Sequence, residues 1–162
     1  MRSAIYPGSF DPVTNGHLDL IQRAGAIFDK IYVAVAINSE KSPLFSVDER
    51  IHLLEESCKE FKNVEVIKFK GLLVDAVDRL QTSAVIRGLR AVSDFEYELQ
   101  MALVNRELNN KCETIFMAPN TKYTFLSSTI VREIARHDGD ISAYTPQVLI
   151  EAIAQKKKEG KL

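Results

Sequence analysis

The stretch Gly8-Ser9-Phe10-Asp11-Pro12-Val13-Thr14-Asn15-Gly16-His17 follows a short apolar run, Ala4-Ile5-Tyr6, and precedes a helical pattern of Leu18, Leu20, Ile21 and Ala24. A strand that ends in a Gly/Pro/Asn-rich loop and re-enters as a helix is the general build of a phosphate site. The loop lets backbone N–H groups approach an anion, and the helix N-terminus supplies about half a positive charge. His17 falls in the first turn of that helix beside Gly16, where an imidazole points at whatever the loop holds. A cationic imidazole there is electrostatically unfavourable unless an anion offsets it, so the pattern favours an anionic ligand.

Outward from this loop, strand-like runs recur at 3–6, 31–37, 64–69, 84–87 and 114–117, most of them continuously apolar, as in strands buried on both faces. Helical patterns fill the intervals. The alternation predicts an α/β chain of Rossmann-like, doubly wound type, a five-stranded parallel sheet with helices on both faces. No repeat or linker interrupts residues 1–162, so the expectation is one domain closed by a C-terminal helix over about 145–158. That helix is expected to start with Thr145 as cap and Pro146 at the first helical position. Ser46-x-x-Glu49 and Ser93-x-x-Glu96 fit the capping box, and Val92 and Tyr97 are spaced for a hydrophobic staple.

On the predicted helix over 93–109, Phe95, Leu99, Ala102 and Leu103 share one arc and Tyr97, Met101, Val104 and Leu108 the opposite one. A helix lying on its own sheet needs a single apolar face. The second face is expected against a partner subunit, with burial under the C-terminal helix as the alternative.

Composition is that of an ordinary globular chain, 46% hydrophobic and 27% charged over 162 residues with net charge −1. That balance gives no electrostatic footprint for nucleic acid. No apolar stretch reaches the roughly 18 residues of a membrane span, and the first residues do not read as a signal peptide, which predicts a cytoplasmic chain without membrane partners. Cys58 and Cys112 form no CxxC pair and are expected to be reduced and structural, and His17, His52 and His137 show no metal-ligand spacing. No metal site built from protein side chains is expected.

In an open parallel sheet, ligands bind beyond the C-terminal ends of the strands. There the sequence places the 8–17 loop, Lys41, an apolar helix start at Leu72-Leu73-Val74, Arg87-Gly88-Leu89-Arg90, and a run of hydroxyls, Ser127-Ser128-Thr129. Neither GxGxxG nor GxxxxGK[ST] occurs, which excludes two common nucleotide motifs. Lys41, Arg87, Arg90 and His17 at one sheet edge make a polyphosphate site. Three adjacent hydroxyls exceed what capping a helix requires. No Cys or Ser beside a histidine base suggests a covalent nucleophile.

These residues carry a family resemblance. Thr14-Asn15-Gly16-His17 within the first loop resembles the T/HxGH signature of the nucleotidyltransferase superfamily, and Ser127-Ser128-Thr129-x-x-Arg132 its second, ISSTxxR-type signature. Arg87-Gly88-Leu89-Arg90 with Asp94-Phe95-Glu96-Tyr97-Glu98 narrows the resemblance to the phosphopantetheine adenylyltransferase family, over residues 3 to about 150. The resemblance implies transfer of the adenylyl group of ATP to 4′-phosphopantetheine, giving dephospho-coenzyme A and pyrophosphate, with Mg²⁺. It also implies a homohexamer subject to feedback by coenzyme A. It places Ser9, Lys41, Leu73 and Arg87 on phosphopantetheine. It places Ser9, Phe10, His17, Gly88, Leu89, Arg90, Glu98, Tyr123, Thr124, Phe125, Leu126, Ser127, Ser128 and Thr129 on ATP. Ser9 stands where some members have Thr, and Thr129 where many have Ser; both keep the hydroxyl.

The physical mechanism fits these residues. The nucleophile is a phosphate monoester, largely dianionic at neutral pH because its second pKa is about 6, and it needs alignment rather than a general base. His17 is expected to donate to charge developing on the α-phosphate, Lys41 and Arg87 to hold the incoming phosphate, and Arg90 with the 127–129 helix start to take the pyrophosphate. Leu72, Leu73 and Val74 are expected to line the uncharged pantetheine arm. Two rival readings are the same chemistry on another phosphorylated acceptor, such as nicotinate mononucleotide, and a non-catalytic nucleotide sensor.

Overall fold

Alternate residues of the apolar runs face opposite sides of a sheet, and helices cover both. In the computed structural model, which describes residues 2–37, 43–82, 84–90 and 92–162 (the side chains of 92–94 excepted), the strands are β1 (Ser3–Gly8), β2 (Lys30–Ala36), β3 (Val64–Phe69), β4 (Ala84–Gly88) and β5 (Glu113–Met117). Among the described residues they form one parallel sheet of order β3-β2-β1-β4-β5. The helices are α1 (Asn15–Gly25), α2 (Val47–Cys58), α3 (Leu73–Leu80), α4 (Val92–Leu108), α5 (Ser128–Arg136) and α6 (Gln147–Lys158). This is the doubly wound α/β sheet expected from the sequence.

The period of two along a strand decides which core each side chain joins. Ala4, Tyr6, Val33 and Val35 pack with Leu20 and Ile21 of α1, Leu54 of α2, Val131 of α5 and Leu149 of α6. Ile5, Ala34 and Val85 turn to the other face and meet Val74 and Val77 of α3. Cys58 and Cys112 are buried and unpaired, and burial pushes the Cys58 thiol up to about 12 and Cys112 upward as well.

Strand order reverses between β1 and β4, and these two strands pair only at Ala4–Ala84 and Ile5–Val85. Beyond that point β1 pairs with β2 alone, so the C-terminal ends of β1 and β4 part and a crevice opens between them. The same parting tolerates Pro7 inside β1, which runs two residues past the expected strand end to Gly8, because a residue without an N–H fits where one side of a strand is unpaired.

Two helix starts differ from expectation. The last helix begins at Gln147 with Pro146 in the cap position, and the Thr145 hydroxyl donates to the Ile141 carbonyl at 3.0 Å instead of capping. α4 begins at Val92, and the Ser93 cap and the Val92 staple lie outside the described side chains. The capping box at α2 forms as expected, with the Glu49 N–H donating to Ser46 Oγ at 3.2 Å and the Ser46 N–H to Glu49 Oε2 at 2.7 Å.

The apolar residues of α4 are not covered by α6, which packs near α2. Leu99 and Leu103 of one arc and Tyr97, Val104 and Leu108 of the other are all exposed. Phe95 meets the sheet through an edge contact with Phe116, ring centroids 5.9 Å apart. The expected division into one sheet-facing and one outward face is therefore corrected: within a single chain, both arcs stay largely open.

Lys156, in the basic run Lys156-Lys157-Lys158, is buried rather than solvated. Its Nζ donates to both Glu49 oxygens at 2.7 and 2.9 Å and lies 5.3 Å from the Phe45 ring centroid, joining α6 to the start of α2. The hydrogen bond from Lys156 is the largest cause holding the Glu49 carboxyl below its ordinary value of 4.5. The pair's contribution is thus full above that value and lost as pH falls through and below it. Lys156→Met should cost about 1 kcal/mol in urea unfolding at pH 7, since Glu49 is half exposed. The difference from the unsubstituted chain should shrink toward pH 3, and a cost independent of pH would mean that packing, not the ion pair, carries it.

Candidate active site

Where β1 and β4 part, a cavity of about 470 Å³ opens, lined by the first loop, the end of β4, one side of α4 and the start of α5. Of the residues predicted for the site, Ser9, Phe10, His17, Arg87, Gly88, Arg90, Glu98, Tyr123, Leu126, Ser127, Ser128 and Thr129 line it together. Leu89, Thr124 and Phe125 are adjacent in sequence but do not line it. Lys41 lies outside the described residues. Leu72, Leu73 and Val74 do not line this cavity: Val74 is buried in the α3 core, Leu73 is partly buried against that core, and Leu72 is exposed.

His17 stands at the third position of α1, whose cap is Thr14. The backbone N–H of Thr14 donates to His17 Nδ1 at 3.0 Å, and Thr14 Oγ1 lies 3.0 Å from the same nitrogen. The imidazole thus fills the place that Glu or Gln takes in a capping box, a Thr-x-x-His spacing not recognised as such in the sequence. With Nδ1 accepting, the neutral ring carries its proton on Nε2. Burial is the main cause holding the imidazole at a pKa of about 4, with Arg90 and Arg87 adding to it. His17 is thus a neutral donor, free of the conflict that a cationic ring would have with the helix dipole.

The Phe10 ring packs edge-on against His17, with centroids 5.1 Å apart, and against Tyr6 at 5.5 Å. Phe10 holds φ at 47°, a left-handed conformation that costs a bulky residue of order 1–3 kcal/mol and persists only where its surroundings over-determine it. Here the ring is fully buried, and a Cβ on Gly8 would lie 3.0 Å from two of its atoms. Gly88 also has a packing reason, since a Cβ there would fall 2.4 Å from Leu20 Cδ1.

The loop is held by groups behind it. The buried Asp11 carboxylate accepts from the Leu44 and Phe45 N–H groups, each at 2.9 Å, and Arg132 Nη1 lies 3.4 Å from Asp11 Oδ2 and donates to the Asp11 carbonyl. Arg50 donates to the Ser9 carbonyl at 2.8 Å. The three hydroxyls divide their work. Ser127 caps α5 by accepting from the Ile130 N–H at 3.1 Å, Ser128 donates to the Pro12 carbonyl at 2.7 Å, and Thr129 Oγ1 lies 3.4 Å from Arg132 Nη2.

Arg87 and Glu98, predicted to contact different substrates, contact each other at 2.7 and 2.5 Å. Arg90 donates to the Leu126 carbonyl at 3.1 Å, joining the end of β4 to the segment before α5. Among the described residues no group of three His, Cys, Asp or Glu could hold a metal ion, and Glu98 is the carboxylate in the cavity lining.

A crevice at the strand-order switch, closed by a helix N-terminus, a neutral histidine and two arginines, belongs to a class of phosphate-handling α/β folds, and comparison defines that class. Residues 5–134 match the cytidylyltransferase-like family, a nucleotidyltransferase superfamily. A solved structure from Vibrio parahaemolyticus, described as a nicotinate-nucleotide adenylyltransferase, superposes with a TM-score of 0.71 at 16% identity, covering 99% of this chain and 94% of that one. It shows the shared fold.

Two relatives are far nearer in sequence. The phosphopantetheine adenylyltransferase of Caldanaerobacter subterraneus subsp. tengcongensis is 54% identical over 99% of this chain and 100% of its own. That of Dictyoglomus turgidum is 51% identical over 98% and 99%. The chain belongs to the phosphopantetheine adenylyltransferase family of nucleotidyltransferases.

The tautomer at His17 is directly measurable. In ¹⁵N-detected spectra of the free protein, the His17 ring should stay in the neutral Nε2–H form from neutral pH down to about pH 5 and titrate only toward its value of about 4. Because the folded value lies below the ordinary 6.5, stability linked to this ring is present above 6.5 and lost as pH falls toward 4. A midpoint near 6.5, or the proton on Nδ1, would contradict the assignment.

Proposed function

We propose that this chain transfers the adenylyl group of ATP to 4′-phosphopantetheine, releasing pyrophosphate and forming dephospho-coenzyme A. The observation that carries the chemistry is a neutral, oriented His17 in one cavity with Arg87, Arg90 and the N-terminus of α5. Family membership supports the acceptor. The likeness to the Vibrio parahaemolyticus structure extends to fold alone and gives no support to nicotinate mononucleotide, and membership of an enzyme family disfavours a sensor.

A phosphate oxygen of the acceptor attacks the α-phosphorus of ATP, and the bond from that phosphorus to the bridging oxygen of the β-phosphate breaks. The attacking oxygen is already deprotonated, so no residue need act as base. His17 Nε2–H donates to the α-phosphate oxygens, most strongly as charge builds in the transition state. Because Nδ1 is fixed by Thr14, the donor is aligned before substrate arrives. Arg87, with Lys41, holds the acceptor's phosphate in line. Arg90 and the N–H groups at the start of α5 receive the departing pyrophosphate. Ser9 and Leu73 are assigned to the acceptor. Phe10, Gly88, Leu89 and the 123–129 segment are assigned to ATP.

The chemistry that Mg²⁺ would supply, if bound with ATP, is neutralisation of the phosphate charge that otherwise repels the acceptor. The lining suits a metal held by nucleotide oxygens, because its carboxylate, Glu98, is engaged with Arg87. The exposed apolar residues on α4 support a homo-oligomer, and a hexamer under coenzyme A feedback is the assembly proposed. Among the described residues no helix is long and apolar enough to cross a membrane, and the cytoplasm is the proposed compartment.

Pyrophosphate release with ATP and Mg²⁺ should require 4′-phosphopantetheine and be absent with nicotinate mononucleotide or with no acceptor. His17→Ala should lower kcat roughly 10²–10³-fold with little change in KM. A raised KM at unchanged kcat would rule out the transition-state role. Arg87→Ala should raise the KM for phosphopantetheine more than that for ATP, and the reverse would exchange the two substrate positions. For the assembly, light scattering should give a mass several times the 18.2 kDa of one chain. Leu103→Asp should reduce it, and a monomer in both forms would leave α4 without that role.

A further inference from the structure

The peptide between Ser9 and Phe10 is held by a residue that does not line the cavity. Arg50, in the first turn of α2, is 5% exposed. Its Nη1 donates to the Ser9 carbonyl at 2.8 Å and its Nε to the Ser46 carbonyl at 3.4 Å. In a trans peptide the carbonyl and the following N–H point in opposite directions. With the Ser9 carbonyl drawn to Arg50, the Phe10 N–H faces away from it, and among the described residues that N–H has no acceptor. The left-handed φ of 47° at Phe10 belongs to the same arrangement. Rotating this peptide by about 180° would return Phe10 to the ordinary extended region, at the cost of reversing both its carbonyl and its N–H.

A neutral donor could hold a carbonyl equally well. Arg50 is instead a buried cation without an ion pair among the described residues, since the Asp11 carboxylate pairs with Arg132. Such a charge is costly to keep unless an anion comes near. We infer that Arg50 is a positioning residue for the transfer reaction, latching the Ser9 carbonyl so that the Phe10 N–H stays aimed at the phosphate His17 serves. The inference rests on the reading of this cavity as the ATP site. Arg50 acts through the peptide and does not touch substrate. Two donors then converge on one group, His17 set by Thr14 and the Phe10 N–H set by Arg50.

Ser9-Phe10 is the single Ser-Phe pair in the sequence, so carbonyl-¹³C serine with ¹⁵N phenylalanine isolates this peptide in spectra of the full-length protein. On adding Mg²⁺ and a non-hydrolysable ATP analogue, the Phe10 amide proton should move downfield as it gains a charged acceptor, and the His17 ring signals should move with it. R50Q should lose the Phe10 response and lower kcat roughly 10–10²-fold, with the KM for phosphopantetheine within about twofold. Its free His17 ring should keep the proton on Nε2, because Thr14 still holds Nδ1. R50K, which retains a charged donor, should recover part of both losses. A kcat unchanged in R50Q would overturn the proposal. So would loss of the His17 tautomer in both variants, which would make Arg50 a general support of the loop. The unsubstituted protein decides even where R50Q does not fold: a response at His17 without one at Phe10 removes the proposal alone. No response at either residue removes the ATP reading of the cavity, and the proposal with it.

Discussion

The carboxylate of Asp11 is where separate parts of the chain are held to the first loop. It takes N–H groups from the segment entering α2, and Arg132 reaches it from α5. A charge with this little exposure is tolerated only when donors surround it, so the contacts are mutually obligatory. With Arg50 on the Ser9 carbonyl and Ser128 on the Pro12 carbonyl, the loop is fixed along its length. The conformation of Phe10, and through its ring the setting of His17, depend on that fixing. The reacting groups are thus ordered by a layer of contacts that need not touch substrate.

The electrostatics of the cavity are milder than a count of basic residues implies. His17 contributes a dipole and no charge, Arg87 is offset by Glu98, and Arg90 spends one donor on the Leu126 carbonyl. Neutrality at His17 is produced mainly by burial, with Arg90 and Arg87 adding to it, so the groups that attract polyphosphate also help to keep the donor uncharged. A neutral imidazole donor serves catalysis to the extent that its hydrogen bond strengthens as negative charge increases during the reaction.

The sheet was legible because strands buried on both faces must be continuously apolar, and the 8–17 loop because its Gly, Pro and Asn residues serve no buried strand. Pairings between residues distant in the chain were not legible. Nothing local to Glu98 distinguishes a surface carboxylate from the partner of an arginine eleven residues earlier. Asp11 likewise gives no sign that Arg132 will reach it. His17 was found by position, yet its protonation state depends on burial that only the fold supplies. The α4 pattern predicted two apolar arcs correctly, but not that both would remain open, because the period of a helix fixes which side chains align and not what lies opposite them. Thr145 and Pro146 suggested a cap locally, and a carbonyl one turn back competed successfully for the hydroxyl.

The buried thiols have a practical meaning. Cys58 and Cys112 sit inside the two cores on opposite faces of the sheet, both inaccessible and both with the thiolate disfavoured. Thiolate is the form that reacts with alkylating reagents. The native chain is accordingly a quiet background for spectroscopy. A cysteine introduced at the rim of the crevice can carry a spin label or fluorophore by itself, without first replacing the two native thiols.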